Sequence, residues 1–144
     1  MTAVRLVPVP LAEKAELRAE LGLYLIAHAD LVDPARVHGD PTDQPHFDAY
    51  WSETGRRPLW ILADGARAGF VLINRYSPSG LGCDAAVAEF CILPPFRRAG
   101  VGLAAAQAAF ALVAGQWELQ VHRATPAAMA FWPRVIAAAN VAQP

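Results

Sequence analysis

The densest chemical signal in the chain is Ile92-Leu93-Pro94-Pro95-Phe96-Arg97-Arg98-Ala99-Gly100-Val101-Gly102. An apolar run ends at two prolines, two arginines follow, and a glycine pair opens an alanine-rich stretch of helix formers. The first turn of a helix carries N–H groups with no intrahelical acceptor, at the positive end of its dipole. Glycine there lets an anion approach the main chain without meeting a Cβ. With Arg97 and Arg98 at the rim, the segment reads as an anion site, for a phosphate above all. Two phosphate loops fit it poorly. A P-loop requires Lys-Ser/Thr after its last glycine, where this chain has Leu103-Ala104. A dinucleotide fingerprint tolerates Ala105 in its third glycine slot, but it requires an acid at the end of the next strand, where Gln120 and Val121 stand.

Other residue types nearby could also do chemistry. Glu89 precedes the prolines on a strand, where a lone charge is costly to bury. It must face a cleft, as a general base would, or be paired in a salt bridge. Cys91 alternates onto the same strand face and is either aimed at a reacting group or a buried structural thiol. His122 ends a later strand, as a catalyst or as a packed residue. The run from His38 to Asp48 collects five possible metal ligands at a spacing that matches no strong ligand pattern, and no metal is expected.

The elements that must position these groups follow from periodicity. Val4 to Val9 is a β-branched run ending at prolines, an edge strand. From Leu11 to Ala29 the apolar residues Leu17, Leu21, Tyr24, Leu25 and His28 recur at helical steps, which predicts an amphipathic helix weakened by Gly22. Asp33 to Pro45 reads as a loop, and Phe47 to Thr54 as a short second helix. Leu59–Ala63 and Ala68–Asn74 flank Asp64-Gly65, a hairpin signal. A turn at Tyr76–Gly80 leads to a strand over Ala85–Leu93, then a buried helix over Gly100–Ala114 stopped by Gly115. Trp117–Val121 is a strand and Pro126–Ala138 a last helix, in which Pro133 predicts a kink or early break. The result is one mixed α/β domain spanning 1–144, an antiparallel meander joined to a strand–helix–strand crossover.

Composition narrows the partners. The chain has 144 residues, 55% hydrophobic and 17% charged, with net charge -1. That is enough chain and apolar surface for a packed core, and too little positive charge for general nucleic-acid binding. The segment Val101–Ala114 is too short to span a bilayer. Prolines and charges interrupt the N-terminus where a signal peptide needs an apolar stretch, and two cysteines make no disulfide framework. A cytoplasmic protein with no membrane partner is expected.

Taken with the element order, the segment resembles the acetyl-CoA signature of the GNAT superfamily of N-acetyltransferases, Arg/Gln-x-x-Gly-x-Gly/Ala after a hydrophobic-x-Pro step. Ile92-Leu93-Pro94 and Arg97-Arg98-Ala99-Gly100-Val101-Gly102 keep that register, and Thr125-Pro126-Ala127-Ala128-Met129-Ala130-Phe131-Trp132 looks like the family's helix after the fifth strand. The resemblance implies a GNAT-like acyl-CoA N-acyltransferase fold, α/β with an α+β mixed sheet, C-terminally short because the family's final strands are missing. A strand edge left open in that way implies a homodimer, strand exchange or a truncated gene. It also implies an acetyl-CoA cosubstrate, with the diphosphate on the N–H groups of Arg98 to Gly102 and Arg97 beside them. The pantetheine arm would lie in a splay between the fourth and fifth strands, paired with backbone near Cys91, Ile92 and Leu93. The acceptor is a small-molecule or peptide amine activated by Glu89. The matching aromatic pair Phe131-Trp132 lacks the family's acid tyrosine and Ala124-Thr125 its asparagine, so Thr125 through water, or Tyr76, would serve the leaving thiolate, or it would need no specific acid. The acceptor would be recognised by the loops between the first helix and second strand, with Trp51, Trp60 and Tyr76 as candidate lining. The alternative is a CoA-binding sensor that has kept the fold and lost turnover.

Overall fold

A computed structural model describes residues 2–31, 46–97, 99–121 and 125–138. Among the described residues five strands form one sheet in the order β1-β2-β3-β4-β5: β1 (Val4–Pro8), β2 (Arg57–Ala63), β3 (Ala66–Asn74), β4 (Ala85–Ile92) and β5 (Trp117–Leu119). The first four pair antiparallel, and β5 joins β4 in parallel after a crossover through helix α2 (Val101–Phe110). Helix α1 (Lys14–Leu31) follows β1, and α3 (Pro126–Ala138) follows β5.

The sheet is packed on both faces. Leu59, Ile61, Val71, Ile73 and Val87 meet Val101, Ala105, Ala106 and Ala109 of α2 and Trp132 and Val135 of α3. On the opposite face Trp60, Phe70, Leu72 and Cys91 meet Leu17 and Leu21 of α1 with Phe47 and Tyr50. Alternation along β2 makes this two-sided burial possible, since successive side chains point to opposite faces. The Asp64-Gly65 hairpin is tight because both residues take positive φ, 50° and 84°, as a type I′ turn requires.

Several expectations meet different outcomes. The stretch expected as a second helix over Phe47–Thr54 is only a 3-10 turn, Phe47–Trp51. Its aromatic residues anchor it too firmly to extend: Phe47 and Tyr50 are buried, and Trp51 Nε1 donates to Val9 O at 2.9 Å. The helix expected to reach Ala114 ends at Phe110, where the Phe110 ring meets Trp117 at 5.1 Å and Trp117 Nε1 takes up the Val113 carbonyl. That helix also buries one face rather than its whole surface, since Gln107 is exposed. The strand expected over Trp117–Val121 has three residues. Helix α3 runs over Pro126–Ala138 as expected and passes through Pro133 without breaking. The loop expected over Asp33–Pro45 lies outside the described residues.

Candidate active site

Strand β4 carries the site, and its register explains why. Leu72 pairs with Glu89 but Ile73 pairs with Val87, so Ala88 is an extra, unpaired residue. Such a bulge reverses the alternation downstream. Before it, Ala85 and Val87 face α2 and α3; after it, Phe90 and Ile92 do, and Cys91 faces α1. Glu89, two residues from Cys91, is thereby turned toward the α1 layer.

There the carboxyl of Glu89 is mostly shielded from water and accepts a hydrogen bond from Tyr24 of α1. Burial pushes it up from the ordinary value of 4.5 to about 7, and the Tyr24 bond offsets only part of that rise. None of the ion pairs among the described residues involves Glu89, so the salt-bridge reading has no partner there. Tyr24 packs edge-on to Phe70 at 5.8 Å, which fixes its ring. Its own hydroxyl is raised, first by burial and then by the Glu89 charge. Tyr50 is similarly buried within reach of the Glu89 charge, and Asn74 Nδ2 lies 3.5 Å from its hydroxyl. Sequence reasoning treated Tyr24 as a core residue and passed over Tyr50. The available signal was a hydroxyl-tipped ring in a stripe built mostly of leucine.

On its other edge β4 pairs with β5 only over Ala85, Ala86 and Val87. From Ala88 onward no described strand lies beside it. The N–H of Leu93 donates to Ala68 O at 2.7 Å, and the Cys91 carbonyl lies against Gly69, so these two residues turn their main chain toward β3. By alternation the main-chain groups of Phe90 and Ile92 face the open edge. Arg97 Nε donates back to the Ile92 carbonyl at 2.8 Å. The Cys91 side chain is buried and its thiol is pushed up to about 11, chiefly by burial. It is a thiol, not a thiolate, at neutral pH.

The glycines after the strand have separate reasons. Gly100 caps α2 with φ 77°, a left-handed conformation that a side chain disfavours. A Cβ on Gly102 would come 3.0 Å from Phe131 Cε1, so its bareness serves the packing of α3 on α2. Ala99 and Gly100 are exposed, whereas the Val101 side chain is buried. The first main-chain bond into α2 is Ala104 N–H to Gly100 O. Among the described residues no group accepts from the N–H groups of Gly100, Val101 or Gly102. Arg98 and His122 lie outside the described residues, as do His38, Asp40 and Asp43. Asp48 is bound by Lys14 at 2.7 Å, and no three described His, Cys, Asp or Glu side chains come together as metal ligands.

Phe131 and Trp132 pack with Phe90, at 5.8 and 5.1 Å between ring centroids. Thr125 is buried at the start of α3, and its carbonyl accepts from Met129 N–H. Trp60 is core, donating to Glu13 at 2.7 Å beneath the Arg67 guanidinium. Tyr76 is exposed beside Arg56.

A sheet whose β4–β5 pairing stops at Val87, a bulge that turns a shielded acid toward α1, and a glycine-capped helix after β4 make up the candidate site. The acetyltransferase (GNAT) family profile matches residues 23–136, and the chain belongs to that family of N-acetyltransferases. No curated protein matches the sequence. Among solved structures, a ribosomal-protein-alanine N-acetyltransferase from Brucella melitensis is 18% identical, with TM-score 0.58 over 99% of this chain and 96% of that one. An acetyltransferase from Thermus thermophilus is 17% identical, with TM-score 0.67 over 92% and 84%. An aminoglycoside N-acetyltransferase in complex with CoA is 16% identical, with TM-score 0.61 over 99% and 90%. At these identities the likeness is one of fold.

Proposed function

We propose that the protein is an acetyl-CoA-dependent N-acetyltransferase acting on a primary amine, with Glu89 as its general base. The observation that supports this most is the shielded carboxyl of Glu89, held by Tyr24 just after the bulge and next to a strand edge with no partner among the described residues. When bound, acetyl-CoA supplies an activated acetyl thioester. The N–H groups of Gly100, Val101 and Gly102, with Arg97, Arg98 and Ala99 beside them, would hold its diphosphate. The outward main chain of Phe90 and Ile92, flanked by Cys91 and Leu93, would pair with its amides as an added strand does. Arg97 would then release the Ile92 carbonyl. Glu89 accepts the proton that the amine must lose on acylation, and a carboxyl near 7 exchanges protons readily at neutral pH. Tyr24 orients that carboxyl. Thr125 through water, or Tyr76, returns a proton to the departing sulfur.

The chain is further read as one domain over 1–144, cytoplasmic, and without membrane or nucleic-acid partners. No helix among the described residues is long and apolar enough to cross a membrane. No described strand covers the outer side of β5, and a homodimer formed along it would close that edge. Light scattering at micromolar concentration reads the mass; a monomer removes the dimer. Calorimetric titration with acetyl-CoA and CoA, followed by thiol release across an amine panel, tests the enzyme. Binding with turnover is expected. No binding by folded protein overturns the reading, and binding without turnover on any amine favours the sensor.

A further inference from the structure

A cleft of about 290 Å³ opens where β2 begins and β3 ends, lined by Glu53, Thr54, Gly55, Arg56, Arg75 and Tyr76. Its two arginines are held differently. Arg56 has only 6% of its side chain exposed and is ion-paired with Glu53. Its guanidinium lies 5.2 Å from the Tyr50 ring centroid and 4.6 Å from that of Tyr76. That arginine is fully engaged by protein. Arg75 is not. Among the described residues no carboxylate pairs with it. Its methylene stem lies against Gly55, where φ is 91° and a Cβ would collide with Arg75 Cδ, so the bare glycine seats the stem. The turn that follows is fixed by Asn74 Oδ1, which accepts from Tyr76 N–H at 3.0 Å. The cleft thus holds one arginine engaged by protein and one, Arg75, that is exposed, has no carboxylate partner among the described residues and lies with its stem along Gly55.

Tyr50 joins this cleft to the candidate base. Its ring meets Arg56 on one side, and on the other its hydroxyl lies 3.5 Å from Asn74 Nδ2, two residues along β3 from Leu72, the strand partner of Glu89. An acceptor whose amine reaches Glu89 would extend along Tyr50 toward Arg75. A planar guanidinium fork matches a carboxylate with two parallel hydrogen bonds, and it repels a second ammonium. We infer that the acceptor is an amine bearing a carboxylate several bonds away, recognised by Arg75, and not a polyamine. The inference rests on the acetyltransferase reading above and names the substrate class of that same site.

The test uses the full chain with acetyl-CoA and ω-aminocarboxylates of graded length, each beside its primary amide, an aminoalkyl phosphate and a polyamine of matched length. Thiol release gives kcat/KM. The carboxylate should exceed its amide by about tenfold or more at the best length, as expected for a charge-assisted, two-point contact. In Arg75→Gln the ratio should collapse toward one. Arg75→Lys, which keeps the charge and loses the fork, should fall between, and Arg134→Gln on α3 should keep the full ratio. Equal rates for carboxylate and amide, or a ratio untouched in Arg75→Gln, overturn the inference while leaving acetyl transfer standing. A preference for the phosphate or for a polyamine overturns it as well. A readout independent of turnover is binding of the N-acetylated aminocarboxylate, followed by NMR shifts. It should bind wild type and lose affinity in Arg75→Gln even if no amine is acetylated; absence of binding to wild type sinks the inference on its own.

Discussion

Glu89→Gln should move stability and activity in opposite directions, which a merely structural acid would not do. Burial lifts the carboxyl from 4.5 to about 7. Below 4.5 the folded and unfolded chains both hold the proton, and the group has no effect on folding. As pH rises through 4.5 the unfolded chain ionises while the folded one keeps its proton until about 7, so stability falls across that window and is level above it. The difference amounts to about 3 kcal/mol lost by pH 8, an upper figure because the group keeps some water contact. Glutamine cannot ionise, and its amide oxygen still accepts from Tyr24. The variant should therefore match wild type near pH 4 and gain about 1–3 kcal/mol at pH 8, read as denaturant midpoints along a pH series. Its kcat should drop by about 100-fold or more, the rise of kcat with pH centred near 7 should vanish, and CoA affinity should change far less. A variant less stable than wild type at pH 8 would refute the burial argument. Unchanged turnover would remove Glu89 from catalysis.

Three further outcomes follow from the geometry. Gly69→Ala places a Cβ on the Cys91 carbonyl inside the sheet, where backbone cannot yield, and should cost several kcal/mol, about 3 or more, in thermal or denaturant unfolding. Gly100→Ala forces a side chain into φ 77° at the head of α2; it should cost about 1 kcal/mol, a Tm lower by about 2–4 °C, and weaken CoA binding in titration. Glu118 accepts from Ser77 Oγ at 2.5 Å and Ser79 N–H at 3.1 Å, tying the loop after β3 to β5, so Glu118→Ala should speed amide exchange in residues 77–82 and leave exchange in β2 and β3 as before.

The parts of the fold that the sequence makes plain are those set by local pattern. Asp64-Gly65 gave the hairpin, Pro126 the start of the last helix, and Gly100 the head of α2, because each encodes a backbone conformation that few residues allow. What local pattern could not supply was the surroundings of each chemical group. The rise in the Glu89 carboxyl comes from its burial, and the bond that offsets part of it comes from Tyr24, 65 positions away in the chain. Gly102 read as a ligand contact, yet its missing side chain makes room for Phe131, a neighbour known only once α3 is docked. The early end of α2 at Phe110 likewise depends on Trp117, which lies beyond the turn.

The unpaired residue at Ala88 gives β4 two phases. Upstream, odd-numbered side chains look toward α2 and α3, and downstream the even-numbered ones do. Deleting Ala88 would leave Glu89 and Phe90 on the layers they now face, but drawing Ala88 into regular pairing, with Ala85 and Val87 held in place, would swap Glu89 inside for out and exchange its layer with that of Phe90. The pairing of this strand therefore matters as much as its residue identities, and a foreign β4 of the same length grafted without the bulge would aim its acid at the α2 layer.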